Sequence, residues 1–403
     1  MRSRDSARAI LDAFRFDGRP HSLAGLARGD MEFADRAQLT LLLSRFDLAA
    51  PVREHVEAAL ARNTVRVERV RAAYQEIAPR FEHVVLKGFT HAPAFIDDLR
   101  LRVQYDLDLY VPPSEHGRAR DALLSLGYEP IRGMEGLAMD HLPTMVRRTG
   151  WEWRGDYFDP EMPVASEVHF RFWDARTERL RPGSLEGFWD RRDGERLALV
   201  DMLGYASLHL VRHLLRGNIR PFHVWEIARF LHTQHDGAFW RLWKQWHSPA
   251  LRRLEVVAFL LARSWFACEL VPEAEEEIAA PPEAVHRWFK KYGWSPIDGM
   301  FRPNRRELWL HLALVETAAD RRSVLRRRLL PMALPGPVDA VHIPEERMTM
   351  TRRLKKQARY AAYVAARAFQ HVRLVGPTLL EGVNWWWSVR RGYRPSARGS
   401  ARP

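Results

Sequence analysis

Cysteine and lysine are the scarce residues of this chain of 403 residues, which has one cysteine and six lysines. The single thiol, Cys268, excludes an intramolecular disulfide framework and any cysteine-based zinc cluster, and it reads as a core residue of its helix. There is no uninterrupted run of about 18 apolar residues, so no transmembrane helix is expected. The first residues, MRSRDSARAILDAFRF, carry charges at short intervals and no apolar h-region, which predicts no secretory signal. The default compartment is the cytoplasm. What is present, 46% hydrophobic residues, excludes disorder throughout and supplies a real core.

Acidic charge is lacking at one end. Residues 301–403 hold 21 Arg and Lys against 7 Asp and Glu, or +14, whereas the first 300 residues come to −1. The formal charge of +13 therefore belongs to the last quarter. A local field of that sign suits an anionic partner: a phosphorylated substrate, or RNA or an anionic membrane surface met through 346–403. The plain alternative is Arg-rich decoration of exposed helices. Lys87 is the only lysine in the first 243 residues. Ammonium is a compact point charge suited to a phosphate oxygen or a metal-bound anion, which singles out that position.

Periodicity predicts four regions. Residues 1–80 read as helices, including ADRAQLTLLLSRF and Pro51 to Ala78. Residues 81–180 switch to a small α/β block: strand 83–88, a short helix in THAPAFIDDL, strand 103–111, a helix after Ser114 ended by Gly127, and strand 164–174. Residues 131–163 lack a clean period and read as loop with one hairpin. Residues 181–330 are helical, at 199–216, 221–235, 238–246, 250–268 and 306–330. Residues 331–403 comprise most of a Pro-rich linker (329–346), a basic helix at about 346–375, a Trp385–Trp387 tail and a disordered last ten residues. The fold class is α+β, a small mixed-sheet module flanked by helical regions.

Within QYDLDLYV, Asp106 and Asp108 stand at i and i+2 on a strand and share one face. Two anions held close repel, and a divalent cation relieves that conflict; oxygen ligands suit Mg²⁺ or Mn²⁺. A solvated strand end is the plain alternative. The second alternating strand puts Glu167, His169 and Arg171 on one face and Val168, Phe170 and Phe172 on the other. Three carboxylates on adjacent strands would hold two Mg²⁺ ions able to orient a nucleoside triphosphate and activate an acceptor hydroxyl.

These residues carry a resemblance. Leu86-Lys87-Gly88, Arg102 four residues before Asp106, DLDLYV, ARDALLSLGYEP and EVH, in that order, resemble the bacterial uncharacterised nucleotidyltransferase family. That family is a divergent branch of the DNA polymerase beta-type nucleotidyltransferase superfamily. LGYASLHLVRHLL and FHVWEIARFL are similar to its helical half, so the likeness covers roughly 65–245. It implies a nucleotidyltransferase acting on an NTP and an unidentified acceptor, with Asp106 and Asp108 as metal ligands and catalytic acids and Glu167 as the third. Where the wider superfamily has a Gly-Ser pair for the triphosphate, this chain has Lys87 for charge and Gly88 for close backbone approach. The alternative from another class is a catalytically silent scaffold holding an anionic partner through its basic end.

Other residues stay open between roles. Arg102 reads as a phosphate clamp or as a partner of Asp98. His209 and His213, four apart, line the cleft and meet a phosphate, or form a polar helix face; no third zinc ligand is evident. Glu226 is expected to pair with Arg229; His232 and His235 read as surface. The small residues of the 352–375 stripe (Leu354, Ala358, Ala361, Ala365, Ala368, Val372) suit packing on another helix, with lipid or RNA contact as the alternatives.

Overall fold

A computed structural model of the protein describes residues 2–18, 22–131, 140–330 and 349–392. The Pro-rich segment expected at 329–346 and the last ten residues fall almost wholly outside them.

Alternation of polar and apolar residues makes the central strand. In β2 (Asp106–Tyr110), Leu107 and Leu109 are fully buried. Each contributes roughly 1.5–3 kcal/mol of burial and forces its neighbours to the other face. β2 pairs antiparallel with β1 (Val84–Val85) and parallel with β5 (Ala165–His169). β4 (Met145–Val146) and β3 (Glu129–Pro130) complete a mixed five-stranded sheet of order β1-β2-β5-β4-β3. The fold is thus α+β, with helices on either side of the sheet in sequence. A small cluster under the sheet joins Leu107, Leu109 and Val168 to Ala119 and Leu123 of the helix His116–Ser125 and Val70 and Ile77 of the helix Ala50–Ile77. The strands are shorter than the sequence pattern predicts, because pairing stops at His169 and Arg171 lies beyond it.

The long helix Ala50–Ile77 fixes the entry to β2. Arg66 is buried and donates to the carbonyls of Gln104 (2.8 Å) and Tyr105 (3.2 Å). Asn63 donates to those of Arg100 (2.7 Å) and Arg102 (3.1 Å). Burial lowers the Arg66 guanidinium to about 10, so it remains charged at neutral pH. These bonds satisfy carbonyls of the segment that leads into β2, and that of Tyr105 also accepts from Ala165 N–H of β5 at 3.2 Å.

Three local expectations are corrected. THAPAFIDDL forms a 3-10 turn at Gly88–His91 followed by turns, rather than a helix. The helix predicted over 306–330 is broken into Glu307–Leu314 and Ala318–Leu329, because Thr317 Oγ1 caps the second by accepting from Asp320 N–H at 3.0 Å. The basic helix and the Trp tail are one helix, Met350–Gly392, which continues through Pro377. Its small-residue stripe does not pack on the body: Leu354, Ala358, Ala361, Ala365, Ala368 and Val372 are all exposed.

The main core runs continuously from Ala7 to Trp385 and includes Cys268. It joins the N-terminal helix Arg2–Ala13 to the helices Leu199–Arg216, Pro221–Thr233 and Pro249–Phe266. Among the described residues, no helix is long and apolar enough to cross a membrane.

Candidate active site

The parallel register sets Asp108 opposite Glu167 and Tyr110 opposite His169. Alternation then gathers Asp106, Asp108 and Glu167 on one side of two neighbouring strands. Asp108 is almost fully buried, whereas the Asp106 and Glu167 side chains are 30% and 23% exposed. The cluster is therefore open on one side.

Lys87, just after β1, projects onto these acids. Its ammonium lies 3.3 Å from Asp106 Oδ1 and 2.8 Å from Asp108 Oδ2. Burial works against its charge, but the two aspartates outweigh burial and hold its pKa above the ordinary lysine value. The lysine expected at a phosphate is thus the counter-ion of the aspartates. Burial, with Asp108 beside it, raises Asp106 above the usual carboxylate range. Asp108 moves the other way: burial opposes ionisation, but Lys87 and the His169 hydrogen bond hold its carboxyl below that range.

His169 is held between carboxylates. Its Nε2 is 3.3 Å from Asp108 Oδ1 and its Nδ1 is 3.7 Å from Asp140 Oδ2. Burial disfavours the imidazolium, but these two acids raise it to about 9. Arg212 closes the chain of charges by donating to Asp140. Thr144 Oγ1 donates to Glu167 Oε1 at 2.7 Å, which fixes that carboxylate and leaves Oε2 turned towards His169 at 3.8 Å.

Gly88 is required, for a reason different from the one expected. Its φ is +89°, and an added Cβ would fall 2.3 Å from Gln104 Nε2. The close approach is to the Gln104 amide, which donates to the Asp106 carbonyl at 2.8 Å. Gly88 thereby lets Gln104 brace the strand that carries the acids.

The opposite wall is the helix Leu199–Arg216. Residues at i and i+4 share a face, so Tyr205, His209 and His213 align towards the site. His213 Nε2 lies 3.1 Å from His209 Nε2, and His213 Nδ1 lies 3.1 Å from Asn218 Oδ1. The helix Pro221–Thr233 adds His223, whose ring centroid is 5.2 Å from that of His209 and 6.4 Å from that of His213. All three are pushed below the ordinary histidine value, first by burial; Lys87 also acts on His209 and His213, and His213 falls to about 4. They are neutral hydrogen-bonding rings at pH 7. Arg220 stands near by, 5.5 Å over the Tyr105 ring, and its charge reaches Asp106.

Two residues read as site candidates lie elsewhere. Arg102 meets neither a phosphate-facing surface nor Asp98. It is buried and donates to Glu226 at 2.8 Å, with His91 Nδ1 3.1 Å from the same oxygen. Glu226 therefore pairs with Arg102 and not with Arg229, which donates to the Pro93 and Ala94 carbonyls. Arg171, exposed beyond the strand, lies 5.4 Å over the Phe170 ring. Asp98 is taken by Arg100. Conversely, Asp140, Thr144, Gln104, His223 and Arg220 join the site without having been singled out. Asp140 and Thr144 lie in the stretch that lacks periodicity, where no pattern reports a side chain's direction. His223 carried a signal, as a polar residue on the helix that the family likeness marks, and so did Gln104, which stands two residues before Asp106 on the same predicted strand face.

The donor set fits a hard divalent cation. Asp108, Glu167 and His169 offer ligand atoms all within 4.8 Å of one another, and Asp106 adds a further carboxylate on the open side. With both ring nitrogens facing carboxylates and its charge favoured, His169 serves as a clamp, so the oxygens of Asp106, Asp108 and Glu167 would be the ligands. The Lys87 ammonium already marks where positive charge is stabilised. A hollow of about 690 Å³, lined by Arg80, Glu82, Arg118, Asp190, Arg192 and Glu195 among others, shares no residue with this cluster, and its mixed signs favour no particular ligand charge.

A family model described as "Uncharacterised nucleotidyltransferase" matches residues 38–267, a span that contains every residue of the cluster. No curated protein and no solved structure matches the chain.

Proposed function

The chain belongs to the uncharacterised nucleotidyltransferase family, and from that premise we propose that it transfers a nucleotidyl group from a nucleoside triphosphate to an acceptor. The observation that carries this reading is the placement of Asp106, Asp108 and Glu167 on one face of paired strands, open to solvent on one side.

In the proposed reaction the acceptor oxygen attacks the α-phosphorus and the bond to the bridging oxygen breaks. Pyrophosphate leaves, and the acceptor's proton passes to Glu167, the carboxylate that Thr144 orients and solvent reaches. Mg²⁺ or Mn²⁺ held by the three carboxylates would supply charge neutralisation for the triphosphate. Lys87 is placed to exchange its aspartate partners for a phosphate oxygen. Arg220 stands on the facing side as a donor for the same phosphates, and His209 and His213 would join it by giving up their contact with each other. Asp140 and Arg212 fix His169, which in turn fixes Asp108.

The test is incubation of the full chain with each α-labelled NTP and Mg²⁺ or Mn²⁺, together with binding calorimetry. The control is Asp106→Ala plus Asp108→Ala. Metal-dependent binding and label transfer that the double variant loses are expected. Metal-independent binding that survives the substitutions overturns the reading. A second reading, a silent scaffold that binds an anionic partner, is favoured by one observation: the Lys87 ammonium already neutralises the aspartates. Metal-independent nucleotide binding without label transfer to any acceptor supplied would support that reading.

A further inference from the structure

The helix Met350–Gly392 is seated on the body by one side only. Trp385 is buried against Tyr292 at a ring distance of 5.9 Å, and Thr378 is buried beside it. Arg306 Nε donates to Glu381 at 2.9 Å, and Arg305 meets His371 Nδ1 at 2.7 Å. A Cβ on Gly382 would fall 2.5 Å from Trp309 Cη2, so the two helices touch closely there.

At about 100° per residue, the side opposite these contacts carries Leu354, Phe369, Val372, Leu380, Val383 and Trp387 within an arc of roughly 100°. Phe369, Val372 and Leu380 are 70%, 74% and 72% exposed. Ala358, Ala361 and Ala365 fill the gaps in the same arc. From Leu354 to Trp387 the stripe runs about 50 Å. Lys355, Arg359 and Arg373, all exposed, border it on one edge. Residues 350–389 hold seven Arg or Lys and one acid, Glu381, which faces the body and is taken by Arg306. The outward half of the helix therefore presents apolar and basic residues and no carboxylate.

We propose that this helix lies flat on an anionic lipid surface, with its bulky apolar stripe in the acyl boundary and its basic edge on the phosphate headgroups. Charge selects this occupant over the others. A second copy of the chain would bring two basic edges together without an intervening acid. RNA would match the charge but would leave Phe369, Val372, Leu380 and Val383 in water. A lipid surface supplies an apolar layer beneath a phosphate layer, the same order as the stripe and its edge. The placement would hold the candidate active site at a membrane face, and it does not depend on the proposed nucleotidyl transfer.

The experiment is flotation of the full chain with vesicles of phosphatidylcholine alone and with about 30% phosphatidylglycerol added. Binding to the anionic vesicles, weakened by salt, is expected. Phe369→Asp with Leu380→Asp and Val383→Asp should reduce it by about tenfold or more. The three sites are exposed, so circular dichroism and the melting temperature should not change. Arg359→Glu with Arg373→Glu should weaken binding to anionic vesicles only. Absence of binding, or equal binding to neutral vesicles, overturns the proposal. So does a dimer, seen by analytical ultracentrifugation, that the apolar triple variant dissociates, or retention of RNA by a chain that leaves both vesicles unbound.

Discussion

Two buried histidines, His169 and His247, each stand between two carboxylates, yet their surroundings differ. His247 Nδ1 is 2.9 Å from Glu255 Oε1 and its Nε2 is 3.2 Å from Asp201 Oδ1, and all three side chains are fully buried. Arg191 forks onto Asp201 (2.9 and 2.7 Å), and Trp243 Nε1 donates to Glu255 at 3.0 Å. Two acids meet two cations; the acids and the imidazole are sealed from water, and only the Arg191 side chain, 24% exposed, reaches it. Around His169, four acids (Asp106, Asp108, Asp140 and Glu167) meet three cations (Lys87, His169 and Arg212), and Asp106 and Glu167 reach solvent. With its acids sealed and its charges balanced, the first group holds helices together. An open group with an excess acid keeps capacity for one more cation.

The largest effect should come from opening that contrast at its functional side. Asp106→Asn is expected to lower nucleotidyl transfer by about 10³-fold, roughly 4 kcal/mol in the barrier, while the urea midpoint barely moves. Transfer that persists in this variant would remove the distinction between the two groups. Next, Glu255→Gln should cost about 3 kcal/mol of stability, because it leaves the His247 charge half-paired in a sealed site. Nucleotide affinity of the folded variant, by calorimetry, should stay at the wild-type value.

A smaller effect follows from pH. His247 is raised to about 9 by Glu255 and Asp201 against the cost of burial. Since the folded value exceeds the unfolded value of about 6.5, its contribution is fully present below that pH. It is lost as pH rises through about 9. Urea unfolding should therefore show the gap between wild type and Glu255→Gln narrowing from pH 6 towards pH 9.5, values that bracket this range by about half a unit. A gap that widens would reverse the assignment. Smallest is Thr144→Val, which removes one hydrogen bond to Glu167. It should cost about 1 kcal/mol and weaken Mn²⁺ affinity a few-fold by titration calorimetry.

The acids of the candidate site were legible because a strand's period is two. Leu107 and Leu109 had to be buried, so Asp106 and Asp108 had to share the other face. The ordered LKG, DLDLYV and EVH runs did the rest. Arg102 was not legible: its partner Glu226 is 124 residues away, and an arginine beside an acidic strand looks the same whether it meets a phosphate or a distant glutamate. Asp140 and Thr144 lie where no period exists. The basic helix was expected to end near 375, but tertiary contacts on both sides of Gly376-Pro377, at His371 and Trp385, carry it through. The helix's outward stripe had the small residues of a packing face, and only its orientation on the body shows that nothing of the described chain covers it.

The β2–β5 pairing carries a consequence for when the protein can act. Asp108 and His169 are 61 residues apart, and the Arg102–Glu226 and His91–Glu226 contacts that seat the neighbouring loop span 124 and 135. Contacts of that range form late, after their loop-closure entropy has been met. A ribosome-bound chain that has not yet emerged past Glu226 would carry Asp106 and Asp108 with Lys87 and His169, but without the carboxylate that seats Arg102 and His91. The loop beside the candidate site would stay unseated until more than half of the chain had been made.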